Sequence, residues 1–335
     1  MNNFWRTKPL RGLLILLLAL VGSTLVSLMM GRYYISIGEI ARAFLHLPVH
    51  KNVTQILFEV RLPRIFAALM IGGALSISGA AYQGMFKNPL VSPDLLGSSA
   101  GAGFGAALGI LISLPMPAVK LMAFLFGLAA VLITWLLGTK IGKGDNTSFL
   151  LILGGILIGS LFQSLLSLVR YVADTEQKLP EITFWLMGSL SRATYTDVLV
   201  MLPLFAVCII TLIIISGRIN ILSLGEEEAK ALGVNTRLLQ GIIIVAATIL
   251  TAFSVSICGM IGWVGLVIPH LTRMLLGPNF KFLMPGSVLL GGTYLLLMDD
   301  LCRSLLMIEI PLGIITSFAG IPFFIYLLSR KDKGW

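Results

Sequence analysis

The sequence has few of the residues on which most soluble enzymes and nucleic-acid-binding proteins depend. Charged residues make up only 12% of its 335 residues, and it contains three histidines and three cysteines. Hydrophobic residues, in contrast, make up 57% of it. An ordinary soluble domain of this size would not remove so much apolar surface from water. The composition therefore excludes such a domain and indicates a protein that lies in a membrane.

The scarce cysteines and histidines do not form the pattern of a disulfide framework or a metal site. The cysteines form no C-x-x-C pair and lie apart in apolar segments, so we expect small buried side chains at Cys208, Cys258 and Cys302. His46 and His50 have the i, i+4 spacing of a metal pair, but Pro48 between them would break the helix that aligns them. We therefore expect a loop there and no metal bound by this chain.

Ionisable groups are scarce within the apolar runs. The acidic residues near predicted membrane depth are Asp299, Asp300 and Glu309, clustered around one helix end, which weakens a pump driven by protons or ions. No paired nucleophile and base is evident, which weakens an intramembrane enzyme. The segment Gly138–Gly144 fails the spacing of a phosphate-binding loop. If the protein uses ATP, another polypeptide must bind it.

Long apolar runs fill the chain between its charged, proline-rich and asparagine-rich breaks. Because only helices satisfy their own backbone in lipid, and about 20 residues cross it, these runs predict an all-α polytopic membrane protein with about ten transmembrane helices in one domain, residues 1–335. The predicted spans are Leu10–Met30, Arg64–Gln83, Gly97–Leu114, Val119–Gly138, Phe149–Val169, Thr196–Ile215, Leu239–Ile257, Trp263–Leu276, Pro285–Asp299 and Leu312–Ser329.

The basic residues predict the orientation of the chain. The first run is too long for a signal peptide and lacks a cleavage site, so we interpret it as a retained span. An even number of spans places both termini on one side, and the basic ends favour the cytoplasm: Arg6, Lys8, Arg11, Arg330, Lys331 and Lys333. The net charge of +9 is scattered over loops, which is typical of topology determinants and lipid contacts and not of nucleic-acid binding.

Three groups of residues are not explained by packing in the bilayer alone. The first is Arg61-Leu62-Pro63-Arg64 at the predicted outer mouth of the second span, with Arg303 on the same side. These arginines are either interfacial anchors or a docking surface for acidic groups, since guanidinium forks suit carboxylates. The second is a series of small residues, Gly72–Gly84, followed by a predicted inner turn at Asn88-Pro89; the small residues predict close helix packing.

The third group is an acidic inner loop, Leu222–Asn235, within the longer loop of about residues 216–238. It has helical propensity, is bounded by Gly225 and Gly233, and has Ser223 and Glu226 at the spacing of a capping box. Inner loops are usually basic, so its acidic run favours a short helix that acts as a lever for a soluble partner over a surface ornament.

These residues resemble the permease subunits of type II ABC importers for iron-siderophores, haem and cobalamin. The resemblance covers residues 61 to 328 and is carried by Arg61-Leu62-Pro63-Arg64, Ser78-Gly79 with Asn88-Pro89-Leu90, Gly225-Glu226-Glu227 with Ala229 and Leu232-Gly233-Val234, Gly262–His270, and Glu309–Gly313 with Gly320–Phe324. It implies a ten-helix permease that pairs with a second copy or a related chain and receives cargo from a periplasmic binding protein.

The resemblance also implies roles for individual residues. Arg61, Arg64 and Arg303 would meet acidic residues on the two lobes of the binding protein. Two cytoplasmic ATPase subunits, which carry the ATP and Mg while this chain binds no cofactor, would receive the coupling residues: Gly225, Glu226, Glu227, Glu228, Ala229, Leu232 and Gly233. Thr147 and Ser148, flanked by Lys143, Asp145 and Asn146, would lie at the cytoplasmic gate. The location would be the bacterial inner, or plasma, membrane, as a transport subunit and not an enzyme.

A weak internal echo suggests two related halves. Ser76-Ile77, Gly79, Pro89 and Leu95-Leu96-Gly97 recur 180 residues later as Ser256-Ile257, Gly259, Pro269 and Leu275-Leu276-Gly277. If it is a repeat, ATP-driven motion of the coupling loop would move two halves against each other.

The sequence leaves the cargo and two other functions open. A ferric siderophore is the first expectation, with haem, cobalamin or an oxyanion such as molybdate as alternatives. The host can be Gram-negative, or Gram-positive with a lipoprotein in place of a periplasmic partner. An ion-coupled secondary transporter that acts without an ATPase is the alternative transport function, and a membrane scaffold is the non-transport one.

Overall fold

The computed structural model describes residues 4–31, 33–141 and 147–329, and in these ranges it is helical without any β-strand. The helices are α1 (Phe4–Met29), α2 (Ile37–Phe44), α3 (Lys51–Gln55), α4 (Leu62–Met85), α5 (Ser98–Leu111), α6 (Met116–Ile141), α7 (Thr147–Val172), α8 (Lys178–Leu186), α9 (Tyr195–Ile214), α10 (Ser216–Leu222), α11 (Glu226–Ala231), α12 (Thr236–Cys258), α13 (Val264–Leu276), α14 (Phe280–Ser304) and α15 (Leu312–Ser329). A π-helical segment, Ile56–Arg61, precedes α4, and a 3₁₀ turn, Pro93–Leu96, precedes α5.

The ten predicted spans correspond to ten of these helices. Within the described ranges, seven apolar helical segments are long enough to cross a membrane, and three apolar helices are shorter: α5, α13 and α15. At 1.5 Å per residue, α5 and α13 extend only about 20 Å, less than the hydrocarbon layer of about 30 Å. The segment Pro93–Gly97 precedes α5, and the segment Gly259–Trp263 precedes α13. Both segments pack against other parts of the protein. Backbone that is not α-helical is tolerated at membrane depth only where protein buries it or where it lines a cavity.

Helix α4 lies at the centre of the bundle. Within its apolar segment 83% of the residues are buried, compared with 72% for α12 and between 22% and 33% for α1, α6, α7 and α9. It packs against α14, α12, α13 and α9. The less buried helices form the outer ring, whose exposed leucine, isoleucine and valine side chains suit contact with lipid.

The small residues of α4 bring its backbone into contact with its neighbours, as the sequence predicted. A Cβ atom added at Gly79 would lie 1.7 Å from the carbonyl oxygen of Gly265 in α13. One added at Gly72 would lie 2.2 Å from the carbonyl oxygen of Gly291 in α14. No side chain larger than glycine fits at these contacts without moving a helix, so glycine sets the distance between the inner helices.

The capping box predicted at Ser223 is wrong. Ser223 still has helical backbone at the end of α10, and its hydroxyl donates to the carbonyl of Asn220 at 2.7 Å, so the N-cap of α11 falls on Gly225. A capping box does form at α2, where the backbone N–H and the hydroxyl of Ser36 both donate to the carboxylate of Glu39. These hydrogen bonds, the backbone one foremost, lower the pKa of Glu39.

The internal echo does not mark a structural repeat. Gly79 lies inside α4, whereas Gly259 follows the end of α12. Pro89 lies in the turn after α4, whereas Pro269 lies inside α13. Residues at the same offset therefore occupy different kinds of position, and the matching letters do not define two equivalent halves.

The Gly79 contact predicts a large cost for the smallest possible added side chain. We expect Gly79→Ala to destabilise the protein by about 1–3 kcal/mol, because its methyl group would overlap the Gly265 carbonyl. The matched control is Gly241→Ala in α12, where no atom lies within 4 Å of an added Cβ; it should be neutral or stabilising by about 0.5–1 kcal/mol. Thermal unfolding in detergent, followed by labelling of the buried cysteines, measures both, and equal midpoints would contradict the packing argument.

Candidate functional site

Three arginines and three carboxylates form a network of charged residues at one end of the bundle, which we call the arginine end, and all of them except Glu309 are buried. Arg64 donates through Nε and Nη2 to both oxygens of Asp299 at 2.8–3.1 Å, and through Nη1 to Glu309 at 3.0 and 3.1 Å. Arg303 pairs with Asp300. With Arg61, the three positive and three negative formal charges cancel, which is the condition under which charges are tolerated at such depth.

Arg61 differs from the other two arginines in its partners. It donates to main-chain carbonyls, those of Leu28, Met29 and Tyr33, and forms no ion pair with a carboxylate in the described ranges. Leu28 and Met29 belong to the last turn of α1, whose carbonyls have no partner within the helix. A cation there also interacts favourably with the helix dipole. Arg61 therefore anchors the end of α1 to the start of α4.

These arginines were predicted to be either interfacial anchors or a docking surface, and Arg303 does lie at the same end as Arg61 and Arg64. The structure instead buries them: Arg61 is 3%, Arg64 6% and Arg303 7% exposed. The partners of Arg64 and Arg303 are the acidic residues that were predicted to cluster around one helix end. Docking by the arginines stays a prediction, and the geometry gives them a structural role as well.

At the opposite end, which we call the acidic-helix end, α11 stands between α10 and α12 as a short rigid helix. Ala229 is fully buried, and Glu226 accepts a hydrogen bond from Gln240 of α12. The helix ends with Gly233 at φ +79°, where the N–H groups of Gly233 and Val234 bond the carbonyls of Lys230 and Ala229. This left-handed C-cap needs glycine, which explains the predicted boundary.

The outer face of α11 is exposed and has both charge and apolar surface. Glu227 and Glu228 are exposed, as are Leu224 and Leu232, at 67% and 63%. Exposed leucines beside carboxylates, at a helix held firmly from behind, are suited to contact with another protein.

The inner turn at Asn88-Pro89 is fixed by side-chain hydrogen bonds. The side-chain oxygen of Asn88 accepts from the Leu90 N–H at 2.9 Å. A polar contact behind this turn was not predicted from the sequence. Gln83 donates to the carbonyls of Val91 and Leu266 at 3.4 and 3.3 Å and accepts from Arg273 at 3.2 Å, which links α4, the turn and α13. A glutamine within an otherwise small and apolar helix was the available signal.

The predicted gate lies at the start of α7. Thr147 is the first residue of this helix, and Ser148 is half-buried. The flanking Lys143, Asp145 and Asn146 lie outside the described residues. The gate role of Thr147 and Ser148 stays a prediction.

A surface cleft of about 640 Å³ runs between the 3₁₀ turn, α5, α7 and the segment before α13. Its polar lining residues are Ser92, Asp94, Ser99, Ser160 and Gln163. A second cleft of about 490 Å³ shares Met260 and Gly262 with it and continues along α15, where Ile314 and Phe318 make the lining more apolar. None of the polar lining residues was predicted as a site from the sequence.

The arginine network predicts a specific pattern of stability losses. Asp299→Asn should destabilise the protein by about 3–5 kcal/mol, because it leaves the buried guanidinium of Arg64 short of a counter-charge. Replacing both Arg64 and Asp299 with methionine should recover most of that loss. Glu309→Gln is the matched control and should cost less, since its side chain is 36% exposed. Unfolding midpoints of wild type and these three variants test this, and a loss in the double variant as large as that of Asp299→Asn would contradict it.

Comparison with known proteins gives a consistent result. The profile of the FecCD transport family matches residues 16–330. The chain is 40% identical to the molybdate import system permease protein of Haemophilus influenzae, over 95% of each chain. It is 34% identical to the hemin transport system permease protein of Yersinia pestis, over 99% of each chain.

A solved ABC transporter structure in an inward-facing conformation has the same fold. It matches with a TM-score of 0.87 and 40% identity, and the match covers 95% of this chain and 98% of that one. Its agreement with the helix bundle described above extends the sequence match to three dimensions. The chain therefore belongs to the FecCD transport family and is a permease subunit of an ABC importer.

Proposed function

We propose that two copies of this chain form the membrane channel of an importer that receives a metal chelate from a periplasmic binding protein. Two cytoplasmic ATPase subunits bind ATP and Mg and dock at the acidic-helix end, and this chain binds no cofactor. The permease lies in the bacterial inner membrane with both termini in the cytoplasm and the arginine end outward. A related second chain in place of the identical copy would serve the same mechanism.

Helix α11 is the observation that carries this proposal. It is too short to contribute to the membrane domain, yet it is held firmly through Ala229 and the contact of Glu226 with Gln240. A short helix that packs against the bundle on one face and is exposed on the other can transmit the displacement of a bound partner to the bundle. Its exposed leucines and carboxylates would fill a groove on the ATPase.

A contiguous set of contacts leads from α11 to the clefts. Gln240, which holds Glu226, belongs to α12, and α12 packs against α4, α5 and α6. The end of α12 leads directly into the segment Gly259–Trp263. Met260 and Gly262 of this segment line both clefts. Movement of α11 by ATP-driven closure would thus reach the transport path along one helix.

Binding-protein docking is proposed for the arginine end. Arg61 is buried and forms no ion pair with a carboxylate in the described ranges, so its positive charge would attract acidic groups of a binding protein to this end without direct contact. Glu309 is the network's partly exposed carboxylate, and it holds the loop that leads into α15. Docking beside these two residues would place the cargo at the outer end of the clefts.

Two cargo classes have support. A metal chelate, foremost a ferric siderophore, fits the resemblance and the combined polar and apolar clefts. Molybdate is the second candidate, because the 40% identical relative is named for molybdate import.

The experiment that tests the proposal is affinity purification of the detergent-solubilised protein from its native membrane. We expect an ABC ATPase in equal amount and ATP hydrolysis by the purified complex, because α11 would keep the ATPase bound. A homo-oligomer that transports in ATP-free vesicles under an ion gradient would contradict the proposal and favour a secondary transporter. A homo-oligomer without transport would favour a scaffold.

Charge reversal on α11 tests the coupling role. Glu227→Arg should lower co-purification of the ATPase and ATP-dependent uptake about tenfold, because Glu227 is exposed and its reversal would oppose the partner surface without disturbing the fold. The matched control is Glu176→Arg, the same reversal at an exposed residue of the turn between α7 and α8. Normal uptake in the Glu227 variant, or an equal loss in the Glu176 variant, would remove the coupling role.

A further inference from the structure

We propose that Asp94 is a cargo-selecting residue, which favours chelates that present an ammonium, amine, amide or hydroxyl donor and disfavours free oxyanions. The proposal rests on the proposed function, because it takes the cleft that contains Asp94 as part of the transport path. No role was assigned to this residue from the sequence.

The backbone around Asp94 is held in one place. Its carbonyl accepts from the Gly97 N–H at 2.8 Å, and Gly97 has φ +86°. Helix α7 closes on this turn from the other side: a Cβ atom added at Gly155 would lie 2.1 Å from the carbonyl oxygen of Leu95. The contact between α7 and the 3₁₀ turn leaves no room for a side chain at Gly155. The backbone that carries Asp94 is therefore fixed in position at the base of the cleft.

The carboxylate of Asp94 has room for a further partner. It accepts one hydrogen bond, from the hydroxyl of Ser99, and forms no ion pair in the ranges that the structure describes. The other polar groups of the cleft are neutral: Ser92, Ser160 and Gln163. The described lining therefore has a formal charge of −1 and contains no lysine or arginine.

The position of Asp94 has two opposing effects on its charge: burial opposes ionisation, and the nearby helix end favours it. It lies just before the N-terminus of α5, where the helix dipole favours a negative charge, and it remains partly exposed to the cleft. An ionised carboxylate accepts hydrogen bonds and donates none. Its preferred ligand is a cation or a group with N–H or O–H bonds.

The two cargo classes differ in what they offer to such a group. A chelate surrounds its metal with an organic ligand, whose peripheral amines, amides or hydroxyls can donate to Asp94 while its alkyl parts contact Met260 and the apolar cleft along α15. A free oxyanion offers acceptors and negative charge, so the same carboxylate repels it. The geometry thus favours the chelate.

The experiment measures ATP-dependent uptake by the permease reconstituted in proteoliposomes with its ATPase and binding protein. The two probes are radioactive iron in a ferric trihydroxamate with one free ammonium group, and radioactive molybdate. We expect wild-type protein to import the chelate at least about tenfold faster, and Asp94→Asn to lower chelate uptake about tenfold. Asp94→Glu, which keeps the charge, should retain more uptake than Asp94→Asn.

Two controls separate selection from stability and from the proposed function itself. Asp174→Asn, at an exposed carboxylate outside the cleft, should import the chelate normally. Binding-protein-stimulated ATP hydrolysis and the unfolding midpoint should stay near wild type in Asp94→Asn, which a merely structural role at the start of α5 would not allow. Unchanged chelate uptake in Asp94→Asn, or equal uptake of molybdate by wild type, would overturn the selection proposal. Absence of stimulated ATP hydrolysis in the wild-type complex would overturn the proposed function instead.

Discussion

The contact between α4 and α14 fixes the rest of the bundle. The two backbones meet where Gly72 lies against Gly291. Eight residues from this contact, towards the arginine end, stand Arg64 on α4 and Asp299 on α14. At 1.5 Å per residue each is about 12 Å from the glycine pair, so antiparallel helices that touch at the glycines place the two charges opposite each other. The apolar contact and the ion pair therefore specify one register.

The same register explains why charges are tolerated at this depth. An isolated buried guanidinium would be costly in a bilayer, and a buried ion pair adds little stability by itself. Here the pair comes with further partners: Glu309 bonds Arg64, and Ser27 bonds both Arg303 and Asp300. The network ties α1, α4, α14 and the start of α15 together at one end while glycine contacts join α4 to α13 and α14 along their length. The main effect of the ionic network is therefore to specify one arrangement of these helices.

Much of the fold follows from the sequence because hydropathy is a local property. Each predicted span overlaps a helix, and the boundary of α11 at Gly225 and Gly233 was visible as glycine around an acidic run. The buried ion pairs of Arg64 were not visible, because its carboxylate partners lie more than 230 residues away along the chain. Asp94 was missed for a related reason: its meaning depends on α7 closing over the 3₁₀ turn, and that contact is made by glycines whose letters indicate only close packing.

The segments that precede the two short helices, α5 and α13, form part of the lining of the larger cleft. Both α5 and α13 were predicted as ordinary spans, yet each begins only after irregular backbone, and both irregular segments line the same cleft: Asp94, Leu95 and Gly97 from one, and Met260, Ile261 and Gly262 from the other. In a membrane, non-helical backbone persists only where protein buries it or where it lines a polar cavity. Transport proteins repeatedly place broken helices at their binding sites for this reason, since the exposed main-chain groups and helix ends face the solute. The convergence of two such segments on one carboxylate is what distinguishes this cleft from a gap between lipid-facing helices.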